Sequence, residues 1–333
     1  MSTPHVAVIG AGAWGTALSL ALGERGAVRL FTWDAQHAEA LAQARENRSF
    51  LPGFALPPTV EPSADLEFVL AGAELIVVAL PSQALRSILA RAAGSLPAVP
   101  LVIASKGIEP GTWMLLTEVV ADVLGPEVAS RTLILSGPSF ALEVARRLPT
   151  NVVVAAARHE LSVAVQRRMA TERLRIYSSD DPIGVQVGGA LKNVIAIAAG
   201  ACAGLGFGHN TRAALITRGL AEMARLALAK GGNVLTLAGL AGLGDLVLTC
   251  TGELSRNRTV GVELGRGGRL EDVLRGLGHV AEGVPTAEAA HRLAEKLGVE
   301  LPISSEVYRV LFEGTPVQAA VEDVLHRPLK PEW

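Results

Sequence analysis

Lys192 is the single cation in a long apolar stretch, residues 181–208 (DPIGVQVGGALKNVIAIAAGACAGLGFG). A lysine in an apolar wall can serve as acid, base or anion ligand, because desolvation weakens its hold on the proton. Two later segments carry groups that could work with it. In GLAGLGDLVLTCT, Asp245 follows a glycine-rich turn and Thr249 comes four residues later. That spacing puts both side chains on one helix face, within reach of one ligand. In SRNR, Ser255 can cap a helix whose first turn carries Arg256 and Asn257. Free backbone N–H groups beside a guanidinium fork are a common way to hold a phosphate. The plain alternatives are a core helix whose lysine snorkels to the surface and, for Arg256 and Arg258, solvated surface arginines. A membrane span is not expected, since residues 194–207 supply only fourteen uncharged positions where about 20 are needed.

A second signature lies near the N-terminus. Residues 5–9 form a short apolar run, and GAGAWG follows it directly, with Gly10, Gly12 and Gly15 in a G-x-G-x-x-G frame. TALSLALGERG then reads as a helix ended by Gly26, and a second apolar run, residues 28–33, leads to Asp34, nineteen residues after Gly15. Strand, glycine turn, helix and a distal acid together point to a dinucleotide. Gly10 permits the tight turn, and Gly12 lets the backbone approach a pyrophosphate, with Ala13 and Trp14 beside it. Gly15 lets the helix pack on the strand, with its N-terminal dipole facing the phosphates.

The elements that must position these groups can be read from hydrophobic pattern. Further strands are expected over residues 74–80, 101–105, 133–135, 151–156 and 174–177, near-continuous apolar runs suited to a sheet covered on both faces. Ligands in such sheets bind beyond the carboxyl ends of the strands. Those ends carry Pro81-Ser82-Gln83, Ser105-Lys106-Gly107 and Ser136-Gly137-Pro138-Ser139-Phe140, with Lys106 the one cation among them. After Asp181 the strand signals stop. Asp181-Pro182 is a helix start, with a capping carboxylate followed by a residue that has no N–H to leave unpaired. Lys192 leans back over Gly188 and Gly189, a bald patch that invites close approach by another backbone or a ligand. Asn210 is expected to cap a helix with Leu215, Ile216, Leu220, Met223 and Leu226 on one face. Further helices are marked at Asp245, Ser255, Pro285-Thr286, Ser304 and Thr315-Pro316.

At 333 residues two domains are the default, with the boundary near residue 180. Half the residues are hydrophobic, 19% are charged and the net charge is −2 without long runs of one sign. This is a globular composition with no feature expected of a nucleic-acid or membrane partner. Cys202 and Cys250 have apolar neighbours and no metal-ligand spacing, so both read as small core residues and no metal is expected. The N-terminal MSTPHVAVIG runs straight into a strand with no basic leader, which makes the cytoplasm the expected location.

GAGAWGTAL, SKGIE, GPSFA, ALKNVIAIAAG, AALITRGLAEM, AGLGDLVLTCT, SRNR and AEG occur in this order across nearly the whole chain. In this the chain resembles the bacterial NAD(P)-dependent glycerol-3-phosphate dehydrogenases; ALKN, AGLGD and SRNR are the specific part, whereas the glycine loop is shared by many dehydrogenases. The resemblance implies an α/β fold with a Rossmann-type doubly wound sheet (residues 1–180) followed by an all-α C-terminal domain (residues 181–333), usually in a homodimer. It also implies reversible reduction of dihydroxyacetone phosphate to sn-glycerol 3-phosphate for glycerophospholipid synthesis, with NADH or NADPH as cofactor. By the same resemblance Lys192 is the proton acceptor and donor. Lys106 touches both substrate and cofactor, and Asp245 lies beside the reacting carbinol. Ser255, Arg256 and Asn257 hold the glycerol phosphate, joined by Thr249 and by Asn193 next to the lysine. Gly137 and Ser139 line the substrate; Ala141, Val280, Glu282 and Arg256 are expected against the cofactor.

For proton transfer near neutral pH, Lys192 would have to lie well below the usual lysine value of about 10.4. Desolvation and repulsion from Lys106 push that way and Asp245 pushes back. The sequence departs from the family after the second strand, where many members carry Arg or His to meet a 2′-phosphate and this chain has Trp33 and then Asp34. A carboxylate there accepts hydrogen bonds from a free ribose and repels a phosphate, so NADH is expected to be usable and favoured. Two competing readings remain. Another two-domain dehydrogenase acting on a 3-hydroxy acid or sugar acid would lack the ALKN, GLGD and SRNR set. A non-catalytic dinucleotide sensor would need a basic recognition helix or a large apolar surface.

Overall fold

The computed structural model describes residues 4–277 and 280–326. The outer ends of the two expected domains, and His279 just before the AEG motif, lie outside the described residues. Two compact units are present: residues up to Lys106 with Met114–Gln186, and Gly107–Trp113 with the residues from Val187 onward.

The first unit is built on an eight-stranded sheet. Its strands are β1 (His5–Ile9), β2 (Ala27–Phe31), β5 (Val60–Ser63), β6 (Ala73–Val78), β7 (Leu101–Ile103), β8 (Thr132–Ser136), β9 (Thr150–Ala155) and β10 (Leu174–Ser179). A separate ribbon pairs β3 (Glu46–Asn47) with β4 (Leu51–Ala55). The order across the large sheet is β10-β9-β8-β7-β6-β1-β2-β5. Every residue of β1 and β8 is buried, as expected of strands covered on both faces. Each Val, Ile or Leu so buried contributes about 1.5–3 kcal/mol.

Six strands run parallel, and the sheet then reverses. β9 pairs antiparallel with β8, Ile134 opposite Ala155 and Ser136 opposite Val153, and β10 runs parallel to β9. An apolar run buried on both faces has no polar side from which direction could be read, so pattern alone does not reveal this reversal. The edge strand β5 and the β3–β4 ribbon are also absent from the pattern. β5 reads VEPS and carries Pro62, which a sheet accepts only at an edge or a bulge.

Among the described residues from Pro182 onward all regular structure is helical. The helix Pro182–Gly204 begins as expected, with Asp181 Oδ1 accepting the Gly184 N–H at 2.8 Å. By length and composition this helix could cross a membrane, contrary to the expectation from counting uncharged residues, but 83% of its most apolar window is buried inside the protein. It is a core helix. The next, His209–Ala229, is preceded by Gly208 instead of being capped by Asn210, and its fully buried face is Gly219, Glu222, Met223, Leu226 and Ala227. Leu215, Ile216 and Leu220 are only half-buried. The helices Gly283–Leu297 and Pro302–Phe312 each start two residues before their expected markers. Leu270–Leu277 had no clear start signal and was not expected.

Helix Arg256–Gly265 lies against Pro182–Gly204 through glycines on both sides. A Cβ at Gly200 would stand 2.1 Å from the Arg258 carbonyl oxygen and one at Gly204 2.3 Å from that of Val262. Reciprocally, a Cβ at Gly261 would stand 2.0 Å from Ile197 O and one at Gly265 2.4 Å from Ala201 O. Spaced four apart on each helix, these positions let the backbones touch where ordinary side chains would hold them at 8–10 Å between axes. Gly261→Ala should therefore lower stability by about 1–3 kcal/mol through overpacking, read as a fall in thermal midpoint. An unchanged midpoint would mean that the helices are not in this contact.

Candidate active site

Lys192 sits midway along its helix and is only 7% exposed. Its Nζ donates to Asp245 Oδ1 at 2.6 Å and to Thr249 Oγ1 at 3.0 Å, while Thr249 Oγ1 in turn donates to the Asp245 carbonyl at 2.6 Å. The predicted four-residue spacing thus delivers both groups, although they converge on the lysine itself. Asp245 opens the short helix Asp245–Thr251 directly after a π-helical turn, Leu240–Gly244, and the two form one continuous helical run. A carboxylate at hydrogen-bond distance offsets the desolvation of a buried ammonium.

Gly188 explains how the turn comes so near. A Cβ there would stand 2.4 Å from the Ala241 carbonyl oxygen, so the bald patch below Lys192 is filled by protein backbone. One turn further on, burial pushes the Cys250 thiol up to about 12, although Lys192 and Arg258 act in the opposite sense. It is a packed core thiol, as its sequence context indicated.

Ser255 caps helix Arg256–Gly265 as expected, its hydroxyl accepting the Arg258 N–H at 3.2 Å. Arg256 projects from the first turn and is exposed as a residue. The protein packed round its guanidinium nevertheless lowers its pKa, an effect that the Glu282 carboxylate partly counters. Asn257 is committed to other work. Its amide donates to Asn193 Oδ1 at 2.9 Å and its oxygen accepts the Gly283 N–H at 2.8 Å. Asn193 and Asn257, both expected against the substrate, therefore tie helices Pro182–Gly204, Arg256–Gly265 and Gly283–Leu297 together. Glu282 immediately precedes the last of these, and Val280 is exposed beside it.

In the first unit, the glycine loop meets each geometric demand of the motif. Gly10 has φ +116°, and a Cβ there would meet Ala79 O at 2.5 Å; a Cβ at Gly15 would stand 1.8 Å from Gly10 O. At Gly12 a Cβ would meet no protein atom within 4 Å, so the room beside it is free for a phosphate. Helix Ala13–Gly23 starts there, and the Trp14 indole N–H is buried with no protein partner. An open glycine, a helix N-terminus and an unpaired donor fit a dinucleotide pyrophosphate.

Asp34 has a local task as well. Its Oδ1 accepts the Gln36 and His37 N–H groups at 2.9 and 3.3 Å and caps helix Ala35–Ala44. Trp33 beside it is 77% exposed. Beyond the parallel strands, Lys106 Nζ and Ser139 Oγ both donate to the Gly137 carbonyl, at 3.0 and 2.8 Å. Gly137 has φ +137°, and a Cβ there would stand 2.9 Å from Val152 Cα. Ala141 begins the next short helix and packs on the same core as Trp14.

Two positioning residues escaped the sequence. Asn47, fully buried, donates to the Ala11 carbonyl and to Thr16 Oγ1, both at 2.8 Å, and so fastens the glycine loop to the β3–β4 ribbon. Its only sign was a polar residue shortly before Leu51-Pro52-Gly53. Glu222 is 1% exposed and accepts the Ile303 and Ser304 N–H groups and the Ser304 hydroxyl. Burial raises its pKa while these hydrogen bonds lower it.

Comparison with known proteins identifies the family. The profile of the NAD-dependent glycerol-3-phosphate dehydrogenase N-terminus matches residues 5–162, and that of the C-terminus matches residues 181–322. The chain is 53% identical over 330 residues to the glycerol-3-phosphate dehydrogenase [NAD(P)+] of Geobacter sulfurreducens, covering 98% of each chain. It is 51% identical over 327 residues to that of Myxococcus xanthus, again covering 98% of each. The crystal structure of glycerol-3-phosphate dehydrogenase from Coxiella burnetii superimposes with a TM-score of 0.92 at 40% identity, over 97% of this chain and 99% of that one. With both halves matched and such relatives covered along nearly their whole length, the chain belongs to the NAD-dependent glycerol-3-phosphate dehydrogenase family.

Proposed function

We propose that this enzyme reversibly reduces dihydroxyacetone phosphate to sn-glycerol 3-phosphate and so supplies the backbone of glycerophospholipids. The observation that carries the chemistry is the buried Lys192 ammonium, bonded at 2.6 Å to Asp245 and at 3.0 Å to Thr249. When bound, the nicotinamide cofactor supplies the hydride. As the ketone carbon is reduced, its oxygen gains negative charge, which Lys192 stabilises before giving it a proton; in the reverse direction Lys192 accepts that proton. Asp245 and Thr249 hold the ammonium at one place, so little rearrangement is needed when charge develops.

The substrate phosphate is assigned to Arg256 and to the free N–H groups at the start of helix Arg256–Gly265, since Asn257 has already given its amide oxygen and one N–H to protein partners. Gly10, Gly12, Ala13, Trp14 and Gly15 are assigned to the cofactor pyrophosphate. For the adenosine end we propose that NADH is used well. Asp34 keeps a carboxylate at the end of β2 while capping a helix, and a carboxylate disfavours a 2′-phosphate. The relatives named for NAD(P)+ support either dinucleotide as a cofactor.

Initial rates of dihydroxyacetone phosphate reduction, measured with NADH and NADPH in parallel, test both assignments. Turnover is expected with both and a ratio at or above one for NADH; a strong preference for NADPH would remove Asp34 from cofactor choice. Lys192→Ala should lower kcat by about 10²–10⁴-fold, the usual span for a lost acid–base group, with NADH affinity preserved in fluorescence titration. Near-normal turnover would move the proton transfer elsewhere. Arg256→Ala should raise the KM for dihydroxyacetone phosphate by about tenfold or more, as for a lost charge-assisted hydrogen bond. An unchanged KM would take Arg256 out of the phosphate site.

A further inference from the structure

We infer that Gly188 is a positioning residue for the reaction: the missing side chain lets the π-helical turn Leu240–Gly244 touch helix Pro182–Gly204, which seats Asp245 on Lys192. The inference rests on the proposed role of Lys192. The contact is backbone on backbone, because the nearest atom to a Cβ at position 188 is Ala241 O at 2.4 Å, followed by Ala241 C at 3.1 Å and Gly242 Cα at 3.4 Å. No flexible side chain is available to yield. Ordinary contact begins at 3.4 Å, so a methyl group would drive the turn outward by about 1 Å.

That displacement acts directly on the catalytic pair. The turn leads without interruption into Asp245, and Lys192 lies one helical turn beyond Gly188 on the same face of its helix. The 2.6 Å bond from Nζ to Oδ1 would open beyond hydrogen-bond range. The turn itself has little freedom to compensate, since a Cβ at Gly242 would lie 2.1 Å from Leu237 O. The π geometry also matters. One residue more or fewer before Asp245 rotates its carboxylate by about 100° round the helix axis. Misplacing a catalytic group by about 1 Å can lower a rate by about 10²-fold.

The experiment compares Gly188→Ala with Gly204→Ala. Position 204 is on the same helix, and its Cβ would meet a backbone carbonyl just as closely, at 2.3 Å from Val262 O, well away from Lys192 and Asp245 in sequence. Both variants should lose thermal stability to a similar degree. Gly188→Ala should also lose about 100-fold in kcat, with NADH affinity kept, and the ionisation of Lys192, followed by NMR of labelled lysine across pH, should shift from that of the unmodified protein. Gly204→Ala should stay within about threefold in kcat. The inference fails if Gly188→Ala keeps its kcat, if the two variants lose activity equally at equal folded fraction, or if the lysine titration is unmoved. Should Gly188→Ala not fold, deletion of Leu243, which is 37% exposed on the same turn, decides the matter. A folded deletion variant that binds NADH but has lost turnover supports the inference, and one with normal turnover overturns it. The lysine titration needs no substrate. A protein that shows the expected shift yet never reduces dihydroxyacetone phosphate would refute the proposed reaction while leaving in place the seating of Asp245 on Lys192 through Gly188.

Discussion

The second unit depends on keeping one ammonium inside an apolar helix. Burying an isolated Lys192 would cost several kcal/mol, and the charge is retained because Asp245 and Thr249 meet it at 2.6 and 3.0 Å. Much of the surrounding architecture serves that meeting. The helix must run past the site without bulk at Gly188. The π-helical turn must deliver Asp245 at the right rotation. The short helix must then bring Thr249 round to the same face.

The same device, backbone against backbone with glycine between, recurs along helix Pro182–Gly204. Gly200 and Gly204 receive helix Arg256–Gly265, whose own Gly261 and Gly265 complete the contact. The Gly200–Arg258 contact thereby fixes Ser255, Arg256 and Asn257 to the helix that carries Lys192, whereas Gly204 meets only the far end of helix Arg256–Gly265, at Val262 and Gly265. The Asn193–Asn257–Gly283 chain of hydrogen bonds adds a polar tie between the same elements. Glycines inside helices weaken them by about 1 kcal/mol each relative to alanine, a penalty accepted here in return for close approach. In the first unit the glycine loop follows a related logic. Gly10 and Gly15 are excluded from carrying side chains by neighbouring backbone, while Gly12 faces open space. That contrast separates the glycines the fold needs from the one it leaves open.

Several groups carry a structural duty alongside the expected chemical one. Asp34 caps a helix, Ser255 caps another, Asn257 joins two more, and Lys106 holds the Gly137 carbonyl. Motif spacing cannot show such double use, because a capping oxygen and a ligand oxygen are the same atom type in the same place in the chain. The misplaced helix start at Asn210 has a similar cause. A good capping residue is a local preference, and packing began the helix two residues earlier, after Gly208.

The sequence by itself determined the glycine loop, the start at Asp181-Pro182, the shift from strands to helices after it, and the pairing of Asp245 with Thr249. Each depends on residues near one another in the chain, where side-chain period and capping chemistry act directly. Only the tertiary structure decided the reversal of β9 and β10, the edge position of β5, the tie from Asn47 to the glycine loop, and the filling of the space under Lys192 by the Ala241 carbonyl. Those are contacts between distant segments, made by atoms every residue has or by side chains with no periodic signature. The lysine could be found by reading along the chain; the backbone that seats its carboxylate could be found only in space.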